Sequence, residues 1–107
     1  MSTGTTRSDT GPEVGERIGV RVELAGTLVA RAGLRRAQLA LPTGATVADA
    51  VEELAAEHGA QVRPALLKGS RLRQGTVATR RTQGSVERVG ADSTLAHGDR
   101  VRIEFIC

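Results

Sequence analysis

Four residues in this 107-residue chain invite a chemical reading: the single cysteine, Cys107, the two histidines, His58 and His97, and Asp99, which follows His97-Gly98. An ionised thiol can carry sulfur as a persulfide or attack a thioester. Arg100 and Arg102 precede Cys107 closely enough to favour the thiolate, and the terminal carboxylate beside the thiol opposes it. A lone cysteine cannot close an internal disulfide and argues against a cysteine-built metal site. The histidines lie in different segments, with no ligand spacing around them, so no metal is expected. His58 reads as the dipole complement of a helix end and His97 as a solvent-facing turn residue. No Ser-His-Asp set or paired carboxylates stand out, and Gly69, Gly75 and Gly84 are scattered through turns rather than placed between a strand and a helix. This pattern argues against an enzyme and calls for no cofactor.

The length allows one domain with a modest core. With 39% hydrophobic residues and one aromatic, Phe105, that core must be built of Leu, Val, Ile and Ala. No apolar run approaches the roughly 18 residues that would cross a bilayer, and the N-terminus has no signal-like core, so the expected location is cytoplasmic. The net charge is +3, and Lys68 is the only lysine among fifteen basic residues. A basic chain raises the prospect of an acidic partner or nucleic acid. The arginines are spread along the sequence, however, and no Tyr or Trp is present for base stacking, so nucleic acid is not the expected ligand.

Residues 1–18 are polar, Gly- and Ser/Thr-rich and without apolar periodicity, which predicts a disordered tail, with the domain spanning 19–107. From Gly19 the chain alternates, with Val20, Val22 and Leu24 on one face. Gly26 to Gly33 reads as a turn, and Leu39 and Leu41 mark a second strand that would pair antiparallel with the first. Thr46 and Asp49 form a capping-box variant ahead of Val47, Ala50, Val51 and Leu54, an apolar stripe at helical spacing. Gly59 is placed to end that helix in the left-handed conformation. Pro64-Ala-Leu-Leu67 is ambiguous. Thr76–Thr79 and Ser85–Val89 read as short strands around a turn at Arg80–Gly84. The closing stretch alternates again, with Val101, Ile103 and Phe105 inward and Arg102, Glu104 and Ile106 outward. A helix between two hairpin-like parts must cover one face of a mixed sheet, with the first and last strands paired at its centre. The fold class is therefore α/β (α+β): a ubiquitin-like β-grasp with one main helix on one sheet face.

Three stretches resemble the sulfur-carrier branch of β-grasp proteins, namely the small subunit of molybdopterin synthase and the thiamine-pathway sulfur carrier. They are Val20-Arg-Val-Glu-Leu24, Leu41-Pro-Thr-Gly-Ala-Thr-Val-Ala-Asp-Ala-Val-Glu-Glu-Leu54, and Ser93-Thr-Leu-Ala-His-Gly-Asp-Arg-Val101, which is similar to the family's T-x-L-x-x-G-D-x-V approach to its last strand. Gly98 supplies the tight turn and Asp99 hydrogen-bonds nearby backbone groups. The resemblance implies a small partner subunit acting with an adenylating activating enzyme or a synthase large subunit, and possessing no membrane role. It also implies a C-terminal Gly-Gly whose carboxylate becomes a thiocarboxylate. Here the sequence ends at Glu104-Phe-Ile-Cys107, with the family's diglycine position roughly three residues and about 10 Å beyond. The family's V-N-G turn is replaced by Ala78–Gly84. Two functional readings follow. One is a carrier that holds sulfur on Cys107 and docks through Arg100, Arg102, Glu104 and Ile106; the other is a non-conjugating ubiquitin-like interaction module without sulfur chemistry.

Overall fold

The computed structural model describes residues 17–82 and 84–106. The expectation of a disordered tail falls mostly outside them. Strand β1 (Arg17–Ala25) begins at the first of these residues, and Ile18 continues its inward face, being buried beside Val20, Val22 and Leu24.

Five strands make the main sheet, in the order β2-β1-β7-β5-β6. Strand β1 pairs antiparallel with β2 (Arg36–Pro42) and parallel with β7 (Arg100–Phe105), bringing the first and last strands together at the centre. Strand β5 (Thr76–Thr82) bridges β7 and β6 (Ser85–Val89), antiparallel to both. Because β5 has partners on both sides through Arg81, its strand continues over Arg80 to Thr82, where a turn was expected from composition. A separate two-stranded hairpin joins β3 (Leu67–Lys68) and β4 (Arg71–Leu72).

The main helix α2 (Val47–His58) starts as its sequence predicts. Thr46 Oγ1 accepts the Asp49 N–H at 3.2 Å, and Asp49 Oδ2 accepts the Thr46 N–H at 2.9 Å. This reciprocal pair satisfies two amides that a helix start leaves open. Val47, Ala50, Val51 and Leu54 are buried and join one apolar cluster with Val20, Val22, Leu24, Val101 and Ile103. Phe105 is only partly buried at the edge of this cluster, where the Arg31 guanidinium lies 5.3 Å from its ring centre. Gly59 does close α2, with φ 125° and ψ 150°, an extended glycine conformation rather than the left-handed helical one. Its N–H still reaches the Ala55 carbonyl at 3.0 Å.

Two segments differ from the sequence reading. Gly26 to Gly33 is not a plain turn: α1 (Thr27–Ala32) lies within it, ended by Gly33 in the left-handed conformation. Leu28 and Ala32, four residues apart, are fully buried, so core contact rather than intrinsic propensity holds this short helix. The ambiguous Pro64 segment belongs to α3 (Val62–Leu66), which buries Val62, Ala65 and Leu66.

On α2, Glu53 and Glu57 stand one turn apart, so that a carboxyl hydrogen bond between them forms only when one is protonated. This contact foremost, with some desolvation and like-charge repulsion, pushes the Glu53 pKa up, while Arg17 pulls it down. A carboxylate with a raised folded-state pKa destabilises the fold above that pKa and ceases to do so below its unfolded value. Glu57→Gln is therefore expected to stabilise the protein by about 0.3 kcal/mol at neutral pH and by nothing in acid. Denaturant midpoints at both pH values check this; a gain that persists in acid would rule out the like-charge origin.

Candidate functional site

The approach to β7 is built around Asp99. Gly98 takes φ 90°, a left-handed value that glycine reaches without steric cost, and nothing lies within 4 Å of where a Cβ would stand. This turn places the Asp99 carboxylate in the interior at 2% exposure, where Oδ2 accepts the Ala96 N–H at 2.9 Å. A buried carboxylate needs compensating charge. Arg80, on β5, provides it with Nη1 at 3.6 Å from Asp99 Oδ2. The same guanidinium donates to the Thr94 carbonyl at 2.6 Å and pairs with Glu87 across β5 and β6. Its hydrogen bond to Glu87, then the charges of Glu87 and Asp99, raise the Arg80 pKa against the opposing effect of burial. Arg80 thus ties the loop before β7 to the β5–β6 hairpin. The sequence places it in a polar turn, and only the register of β5 reveals its role.

His97 is exposed, as expected, yet it is engaged: its Nδ1 accepts the Gly19 N–H at 2.9 Å. The Gly98 N–H donates to the Gly19 carbonyl at 2.8 Å, and Arg21 N–H to the Asp99 carbonyl at 3.0 Å. The three contacts continue the β1–β7 pairing into the turn. A Cβ on Gly19 would come within 3.3 Å of Gln38 and 3.4 Å of His97, so a small residue suits this approach. The histidine completes a strand end; no acid–base partner accompanies it among the described residues.

The outward residues of the sheet form the face that the sequence assigned to partner binding. Arg100 and Arg102 are exposed on it, Glu104 is half-buried, and Ile106 beyond the end of β7 is exposed at 61%. Arg102 is braced by Glu23 at 3.8 Å and Glu104 at 3.5 Å. The two glutamates and this arginine form one exposed network, so its energetic weight is small. The face is wider than the sequence suggested. Arg21, Arg36 and Arg81 line a solvent-open hollow of about 310 Å³ together with Arg100, Arg102 and Glu23. Arg21 and Arg81 lie at outward alternate positions of their strands, a period-two signal that was readable but lost in an even scatter of arginines. Cys107, the residue assigned to sulfur carriage, lies outside the described residues. Among those described, no cluster of three His, Cys, Asp or Glu side chains could hold a metal, and no helix is long and apolar enough to cross a membrane.

No curated protein matches the chain by sequence. Its fold does have solved counterparts. Small archaeal modifier protein 1 from Haloferax volcanii superposes with a TM-score of 0.68 at 21% identity, covering 84% of this chain and 99% of that one. Its namesake from Methanosarcina acetivorans gives 0.62 at 20% identity, covering 86% and 96%. A molybdopterin converting factor, subunit 1, from Pyrococcus furiosus gives 0.60 at 24% identity, covering 84% and 99%. The TGS domain family matches residues 26–104, from α1 to the end of β7. The chain belongs to the TGS domain family and shares the ubiquitin-like β-grasp fold of these solved structures.

Proposed function

We propose that this protein is a small sulfur-carrier-like partner subunit that docks on a larger protein through the outer face of its sheet. What carries the reading is the likeness in fold, over nearly their whole length, to a molybdopterin converting factor subunit and to small archaeal modifier proteins. The buried Asp99 turn adds to it, since that turn sets the start of the central strand that leads to Ile106 and Cys107. The docking residues are Arg100, Arg102, Glu104 and Ile106. The partner is an adenylating activating enzyme or a synthase large subunit, and the pathway is cofactor or metabolite biosynthesis in the cytoplasm.

In this reading Cys107 holds the sulfur. Its thiolate attacks the outer sulfur of a persulfide donor; the sulfur–sulfur bond of the donor breaks, the donor thiolate leaves, and Cys107 becomes the persulfide. The experiment is intact-mass analysis after incubation with a persulfide donor, the activating enzyme and ATP, on the native chain and on Cys107→Ser. A sulfur adduct on the native chain alone is the expected result. Equal exchange of oxygen for sulfur in both would move the chemistry to a carboxyl group. No adduct on either would leave a docking module without sulfur chemistry.

A further inference from the structure

Cross-strand register gathers arginines that stand far apart in sequence. Arg21 of β1 is opposite Arg100 of β7, and Arg100 is opposite Arg81 of β5, so three guanidiniums occupy adjacent positions in one row. In the next row Glu23 lies between Arg36 and Arg102, and Thr79 between Arg102 and Arg88. All six arginines are outward and exposed. Arg102 is paired with Glu23 and Glu104, but no acidic side chain among the described residues pairs with Arg21, Arg81 or Arg100. Like charges directly opposite one another on a sheet are destabilising. The free protein therefore carries a repulsion that an anionic partner would relieve.

We propose that this arginine row docks a carboxylate-rich protein surface, with Arg21, Arg81 and Arg100 as its anchors. The inference rests on the partner-subunit reading above and names the chemistry of the partner. A guanidinium presents a planar fork that matches a carboxylate in two parallel hydrogen bonds. The composition of the face favours a protein over a nucleic acid. No aromatic side chain faces outward to stack on a base, the one aromatic, Phe105, being on the inward side. Val86, opposite Arg81, and Ile106, past the end of β7, are exposed at 57% and 61% and add apolar contact around a charged centre.

The test is fluorescence anisotropy at low salt on the full chain, with a labelled oligoglutamate peptide and an oligothymidylate of matching charge as probes. The triple variant Arg21→Gln, Arg81→Gln, Arg100→Gln is compared with a control of equal charge change, Arg35→Gln, Lys68→Gln, Arg71→Gln. Oligoglutamate is expected to bind the native chain and to weaken about 10-fold in the sheet-face variant, at roughly twofold per exposed pair. The control should change less than about twofold, and added salt should weaken binding throughout. The sheet-face variant should melt no lower than the native chain, because the substitutions remove a repulsion. Equal losses in both variants, no binding by the native chain, or a lower melting temperature of the sheet-face variant would each overturn the docking role. Tighter binding of oligothymidylate than of oligoglutamate would overturn the choice of a protein partner. The assay involves neither Cys107 nor an activating enzyme, so its outcome is separate from that of the sulfur experiment.

Discussion

Leu54→Ala is expected to cost about 3 kcal/mol of unfolding free energy, within the range of 2–5 kcal/mol seen for buried leucines. Leu54 is fully buried on α2, in the same apolar cluster as β1 and β7. Removing its isobutyl group loses the transfer energy of the deleted atoms and leaves a void that the helix and sheet can fill only partly. The core has little spare contact area, because its large side chains are aliphatic and its one aromatic sits at the edge. In a small domain whose total stability is about 5–15 kcal/mol, such a loss should lower the melting temperature by roughly 10–20 °C. Paired urea and thermal denaturation of the native chain and the variant measures it. A change below about 0.5 kcal/mol would show that α2 does not depend on this contact.

Asp99→Ala should cost about 2–4 kcal/mol, the second largest loss expected of a single substitution considered. The carboxylate accepts the Ala96 N–H and faces Arg80, and both interactions vanish together. The Ala96 amide is left without that acceptor, while Arg80 keeps Glu87 and the Thr94 carbonyl. Asp99→Asn keeps an oxygen of similar shape and should lose less, about 1 kcal/mol, by removing the charge alone. A double-mutant cycle with Arg80→Met isolates the coupling between the two side chains. Chemical denaturation of the four proteins gives the answer. Additive losses from Asp99→Ala and Arg80→Met would mean that the pair is held by its surroundings and not by mutual attraction.

The parts of the fold with strong local patterning were legible in the sequence. The alternation from Val20 to Leu24 and from Val101 to Phe105 identifies two strands, and their apolar faces require a common cover. The Thr46–Asp49 capping box and the stripe at Val47, Ala50, Val51 and Leu54 supply that cover, because these features depend on residues within a turn of one another. The Gly98-Asp99 turn was legible for the same reason. The short helix α1 was not: Thr27 to Ala32 has no side-chain cap and is helical because Leu28 and Ala32 enter a core formed by distant strands. The exact state of Gly59 likewise depends on the chain's path into α3 and could not be read from its being a glycine.

At the candidate site, sequence alone established which side of the last strand faces outward, and hence that Arg100, Arg102 and Glu104 share a face. Strand alternation is a local property of the backbone and needs no partner. The tertiary structure decided what stands beside them. Pairing β1 parallel to β7, and β5 antiparallel to it, places Arg21 and Arg81 on either side of Arg100, and that register is set by burial of the opposite face. The same register turns Arg80 inward, against Asp99, while its neighbour Arg81 faces outward. Two adjacent arginines, indistinguishable in the sequence, thus take opposite roles because successive side chains of a strand point to opposite faces and only one of those faces is covered.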